Sequence, residues 1–368
     1  MENTNKAFEP GRAVVFLLVF ICCIIAGAVL KIASAIILPF MIAALLALVL
    51  FPLIKWLDKL HFPHFLSIFL TILIFIASVI LFGMILFTSG RMIVTQLPNY
   101  EYRFIEIYDE IARLFRLPND EGQSVWQNLW DQAAIRVFVR DLTISFSNYV
   151  FRFVSSAGIV IIFVIFILLE VSFFGKKLEV AFEKRSERIN KMGRDIMTQV
   201  TRYLTAKFFI SLANGVIFAV SFHFVGLEFA VVWGVVQFLL NFIPNLGSIA
   251  AGVAISLFAL VQFWPDPVPI IIIVAIILGV NLILSNIFDP KIIGEHVGIS
   301  PLMILVSLLL WCWIWGFAGM VLAVPMTSII KIVCENIPMM EPAAIMIGTR
   351  KSVLAKKAER EMQETSEP

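Results

Sequence analysis

Gln237, Asn241, Asn245 and Ser248 gather around a single proline, in a stretch that reads Asn241-Phe-Ile-Pro-Asn-Leu-Gly-Ser248. All four side chains are uncharged, and all can both donate and accept hydrogen bonds. Such groups suit a small, hydroxyl-rich, largely neutral solute, which needs matched bonds rather than a counter-charge. Gln237 and Asn241 stand one helical turn apart, hence on one face. Pro244 removes a backbone donor and disfavours helix at Ile243, and Gly247 loosens the chain further. Asn245 is predicted to cap a returning helix whose first amides, near Gly247 and Ser248, face the same space. Two other runs add to the set. Ser211 and Asn214 share one helical face, and Asn281, Ser285 and Asp289 share another. The same amides also serve as ties between membrane helices. For the 241–248 cluster the broken backbone favours a binding site, because lipid cannot satisfy the groups it frees.

Ionisable side chains in apolar runs are few. Glu170 closes one such run and is a candidate proton-coupling carboxylate, although Lys176 and Lys177 nearby offer it an interfacial ion pair. Asp289, before Pro290, is the other candidate. Lys207 is expected to snorkel towards water. Catalytic chemistry finds no support: an intramembrane aspartyl protease needs two facing acids, and Glu295-His296 lacks metal-site spacing. No phosphate loop, metal set or cofactor motif is present, and no nucleic-acid partner is expected. Cys22, Cys23, Cys312 and Cys334 show no ligand spacing, so small buried thiols are predicted.

The elements that must hold these residues are membrane helices. Hydrophobic residues make up 60% of the chain and charged ones only 15%, with mean hydropathy +0.96, against about 25% charged in soluble domains. Apolar runs at 13–30, 32–53, 64–90, 150–174, 205–225 and 270–288 read as spans. Lys6 and Arg12 before the first run resemble a signal peptide, but the apolar stretch continues past Lys31, so an uncleaved span is expected. Residues 91–148 are too polar to span and show helical periodicity in two pieces, separated by Leu117-Pro-Asn-Asp120. The stretch 228–263 reads as a hairpin whose arms are each short for a crossing, and Trp264-Pro-Asp-Pro-Val-Pro269 as a rigid turn. A second broken stretch, 301–334, is interrupted at Gly316-Phe-Ala-Gly319 and at Pro325, which are candidate hinge positions. The fold class is thus an all-α polytopic membrane protein. It has about six to eight membrane helices, two broken (re-entrant) hairpins in the C-terminal half and a small extracytoplasmic helical insert. Domain limits follow: 1–174 an N-terminal scaffold with the insert at 91–148, 175–204 a cytoplasmic basic segment, 205–340 a transport domain, and 341–368 a cytoplasmic tail.

Lys and Arg set the orientation. The basic segment from Lys176 to Arg202, Lys55 with Lys59, and the tail's Lys351 to Arg360 belong inside; the acid-rich 91–148 belongs outside. Both termini are then cytoplasmic. A full span followed by a broken stretch occurs twice after residue 205, with opposite starting sides, the pattern of inverted repeats in secondary transporters. Arms that cross fully leave the C-terminus on the same side, so parity does not separate the two arrangements.

Four spaced motifs then carry a resemblance. Asn241-Phe-Ile-Pro-Asn-Leu-Gly-Ser248, Asp289-Pro-Lys-Ile-Ile-Gly294, Val297-Gly-Ile-Ser-Pro301 and Gly316-Phe-Ala-Gly-Met-Val-Leu-Ala-Val-Pro325 resemble the C-terminal signature of the autoinducer-2 exporter family. Trp233-Gly234 and Leu168-Leu-Glu170 resemble its TqsA branch. The resemblance implies a bacterial inner-membrane exporter, assembled as a homopentamer in the lipid bilayer, whose hairpin-bearing half moves as an elevator-type transport domain. Its cargo would be a small hydroxylated signalling molecule. The family also contains cation/proton exchangers, and a Na⁺/proton antiporter leaning on Glu170 or Asp289 is the alternative. Without an ATPase motif, the energy must come from a solute or ion gradient.

Overall fold

A single residue, Ala33, separates α1 (Pro10–Ile32) from α2 (Ser34–Lys59), and the Ala33 amide still donates to the Val29 carbonyl at 2.8 Å. The computed structural model describes residues 10–114, 155–170, 186–284, 298–337 and 340–349, with Leu354. After α2 come α3 (His64–Leu114), α4 (Ser155–Glu170), α5 (Ser186–Val225), α6 (Ala230–Leu240), α7 (Leu246–Phe263), α8 (Pro267–Ile283), α9 (Pro301–Asn336) and α10 (Glu341–Ile347). Among the described residues, five helical stretches are long and apolar enough to cross a membrane: Ser34–Lys59, His64–Ser89, Lys191–Val225, Leu246–Phe263 and Pro301–Asn336. Three shorter apolar helices, α4, α6 and α8, accompany them.

Several boundaries differ from those expected. α2 continues past Pro52 to Lys59, because one missing backbone donor does not end a helix that lipid otherwise enforces. α3 runs unbroken through the compositional change at residue 91 and through Pro98, giving 51 residues or about 76 Å at 1.5 Å per residue. Likewise the basic segment and the fifth span form one 40-residue helix, α5. Composition marks where a helix leaves the apolar layer, not where it ends. α7, at 18 residues, is also long enough to cross, whereas α6 at 11 is not. Of the proline-rich turn, Pro267 and Pro269 already lie in α8, whose start Asp266 caps by accepting from the Val268 amide at 3.0 Å.

Close contacts divide the chain into two units, residues 1–44 with 298–368, and residues 45–297. In the first, the Trp315 indole N–H donates to the Leu30 carbonyl at 3.0 Å, and the Lys31 ammonium stands 4.1 Å from the centroid of the Trp313 ring. Ser300 caps α9 by accepting from the Met303 amide. Inside α9 only Gly316 leaves helical geometry, at φ 63° and ψ −140°. There the chain bends sharply: a Cβ on Gly319 would overlap the Trp311 carbonyl, although residues eight apart in a straight helix are about 12 Å apart. Gly319 is therefore the contact between the arms, and Pro325 lies buried in the second arm.

The second unit holds its core where α5, α7 and α8 converge, around Phe218, Phe222, Ala251, Ile255, Ala259, Ile273 and Ile277. Large apolar side chains also cover its outside; Phe224 is 84% exposed, and Phe209 and Ile249 point outward too. Such a surface is stable against lipid and not against water. Helix association then depends on close packing rather than on the hydrophobic effect. The packing residues are small ones: Gly215 on α5 and Gly234 on α6 lie backbone to backbone.

Candidate functional site at the first helix break

Between α6 and α7 the backbone makes a tight five-residue turn. The Ile243 amide donates to the Leu240 carbonyl at 2.9 Å, and the Gly247 amide to the Ile243 carbonyl at 3.2 Å. Pro244 sits at the bend, and Asn245 adopts φ 59° and ψ −51°. The Asn245 side chain makes no capping bond, contrary to expectation: it serves the turn through its tolerance of positive φ. Gly247 too has a different job from the one its flexibility suggested. A Cβ there would collide with the Leu240 carbonyl, so glycine is what lets the two arms close.

Polar side chains collect beside this turn. Asn241 is buried and bonded through both amide atoms: its Nδ2 donates to Ser211 Oγ at 3.0 Å, and its Oδ1 accepts from Ser248 Oγ at 3.3 Å. Gln237, completely buried, donates from Nε2 to Asn281 Oδ1 at 3.3 Å. Four elements are thereby joined: α5 through Ser211, α6 through Gln237 with Asn241 at its end, α7 through Ser248, and α8 through Asn281.

Asn214 is 1% exposed, and among the described residues neither its Nδ2 nor its Oδ1 has a hydrogen-bond partner; the same holds for Gln237 Oε1. The register locates both. α5 and α6 touch at Ser211–Asn241 and again at Gly215–Gly234, so Asn214 and Gln237 lie between those two contacts. Unsatisfied amides in an apolar interior are rare and costly, about 1–3 kcal/mol each. Three unspent donor or acceptor atoms therefore sit at one level of the α5–α6 seam. No charged group is among the residues that make these bonds.

Other candidate residues fall elsewhere. Ser285 and Asp289 lie outside the described residues. Glu170 ends α4 with its side chain exposed. The Gly215–Gly234 seam was not singled out from sequence, though Gly215-x-x-x-Ala219 and Ala230-x-x-x-Gly234 carry the small-residue spacing that marks close helix pairs.

Long apolar helices, a lipid-compatible exterior, a broken helix and a buried uncharged polar cluster define a multi-pass membrane transporter. The family profile described as AI-2E family transporter matches residues 14–339, and the chain belongs to that family. It is 30% identical over 348 residues to a Borreliella burgdorferi protein provisionally named as a transport protein, covering 94% of each chain. It is 28% identical over 339 residues to the AI-2 transport protein TqsA of Escherichia coli K12, covering 92% of this chain and 96% of that one. These names point to transport rather than catalysis, and the family context places the chain in a bacterial inner membrane.

Proposed function

We propose that the chain exports a small, hydroxyl-rich, largely neutral solute of the autoinducer-2 kind, bound by the polar cluster on α5, α6, α7 and α8. Asn214 carries the reading. Its buried amide offers a donor nitrogen and an acceptor oxygen that the described residues leave unused. A solute hydroxyl, itself donor and acceptor, takes up both atoms, and a second hydroxyl of a polyol donates to Gln237 Oε1. The groups that make these bonds are uncharged, which suits a neutral cargo. The nearest cation on α5 is Lys207, one turn before Ser211, which is buried at 5% exposure rather than reaching water as its long side chain suggested. The AI-2 transport activity in the name of the Escherichia coli relative supports the same solute class.

Movement in this proposal is of the elevator type, with the hairpin turn at Pro244 travelling with the bound solute, and a homopentamer supplies the fixed frame. The test is uptake of labelled autoinducer-2 into liposomes holding the purified protein, under imposed Na⁺ and pH gradients. Asn214→Leu should weaken solute affinity about five- to 150-fold, the equivalent of losing a bond worth about 1–3 kcal/mol, while melting temperature holds or rises. Unchanged affinity in a folded Asn214→Leu protein would remove the cluster from the transport path. Transport of Na⁺ against protons without autoinducer movement would replace the solute reading by antiport.

A further inference from the structure

We propose that a second site, specific for a phosphate-bearing anion, lies in the cleft between the end of α2 and the first half of α5. The cleft encloses about 480 Å³ and is lined by Phe51, Pro52, Lys55, Met197, Thr198, Thr201, Arg202, Thr205 and Ala206. Its lining contains two cations and no carboxylate. Thr198, Thr201, Arg202 and Thr205 follow the i, i+3, i+4, i+7 spacing of one helical face, so the hydroxyls and the guanidinium present themselves together.

Two of the three hydroxyls are unspent among the described residues. A threonine in a helix usually returns its hydroxyl to the carbonyl one turn back, as Thr71 does to Ser67 at 2.8 Å. Thr201 Oγ1 and Thr205 Oγ1 are buried, yet among the described residues neither has a hydrogen-bond partner. Two O–H donors, a guanidinium and an ammonium match the oxygens of a phosphate group. Lys55 sits over the Phe51 ring at 4.6 Å, which holds its ammonium beside the cleft.

Depth and lining favour a lipid as the source of that phosphate. Lys55 follows the apolar part of α2, and Arg202 precedes the apolar part of α5, so both cations fall at a membrane boundary. Phe51, Pro52, Met197 and Ala206 give the cleft an apolar wall beside its charged one. The occupant is the headgroup of an anionic glycerophospholipid, and inorganic phosphate shares the chemistry without the apolar tail.

Full-length protein is compared with Lys55→Gln/Arg202→Gln and with Thr201→Val/Thr205→Val. Phosphatidylglycerol and phosphatidylcholine retention are read by native mass spectrometry, and stabilisation by millimolar inorganic phosphate by melting temperature. The wild type should retain phosphatidylglycerol in preference to phosphatidylcholine. The charge variant should weaken retention by about tenfold or more, in line with charge-assisted bonds, and the valine variant by a smaller factor. The exposed Lys55 and Arg202 make an unfolded charge variant unexpected, and the valines preserve shape. If phosphate alone stabilises the wild type and not the charge variant, the site stands and its ligand is the free anion. Equal phosphatidylglycerol retention in all three proteins, with no phosphate effect, overturns the proposal.

Discussion

Gly215 and Gly234 meet reciprocally: a Cβ on Gly215 would stand 2.7 Å from the Gly234 carbonyl oxygen, and one on Gly234 would stand 2.6 Å from that of Gly215. Both distances are too short for any side chain, and the obstacle is backbone that cannot rotate away. The same contact sets the register between the α5 positions around Asn214 and the α6 positions around Gln237. Packing and polar chemistry on this seam are therefore one geometric problem.

Gly215→Ala or Gly234→Ala should push α5 and α6 apart. Overpacking of this kind costs about 1–3 kcal/mol, read as a lowered melting temperature in mild detergent. Gly158→Ala and Gly279→Ala, with nothing within 4 Å of the added carbon, should melt like the parent. A parent-like Gly234→Ala would mean that the helices separate without cost.

Asn241→Ala should behave differently from Asn214→Leu. Its amide already bonds Ser211 and Ser248, so truncation strands two hydroxyls and costs about 1–3 kcal/mol of stability. Melting temperature and solute affinity measured on one preparation separate the roles. A stable Asn241→Ala protein with weakened binding would return Asn241 to direct solute contact.

Gln262 ties the wide end of the first hairpin: its Oε1 accepts from the Glu228 amide at 2.8 Å, and its Nε2 donates to the Gly226 carbonyl at 2.9 Å. Gln262→Leu breaks both bonds at an exposed position, where water can replace them. Hydrogen exchange should quicken at Gly226–Glu228 with little change in melting temperature. Unaltered exchange there would show that the loop holds without the clamp.

Topology is tested by single cysteines in a cysteine-free background. Glu110→Cys should react with an impermeant reagent added outside, and Lys191→Cys only after the cytoplasmic face is opened. Labelling of position 110 from the cytoplasmic side alone reverses the orientation.

Much of this was legible in the sequence, and what was missed has a physical cause. The break at Asn241–Ser248 stood out because Pro244 and Gly247 interrupt an apolar run, and Gly316 for the same reason. The four-residue spacing of Gln237 and Asn241 placed them together on one face. Partnership was not legible: nothing local says that Asn241 is engaged while Asn214, one turn beyond Ser211, is not. That distinction depends on how α5 and α6 are aligned, which the contact between Gly215 and Gly234, with 18 residues between them in the chain, sets. Helix ends were misjudged wherever composition changed without a break, at residue 91 and again near residue 204. Gly247 read as loosened backbone and Gly319 as a hinge or a close-packing position, and each sits where a neighbouring carbonyl leaves no room for a side chain.

The unbroken course of α5 has a mechanical consequence. Ser211, bonded to the hairpin turn, and Ser186, at the first described residue of the helix, are joined by 25 rises of 1.5 Å, about 37 Å of rigid rod. A tilt of about 10° at Ser211 would sweep the far end through about 6 Å by that lever arm. A displacement too small to resolve at the polar cluster is thus magnified at the basic end, where a spin label or fluorophore can follow each transport cycle.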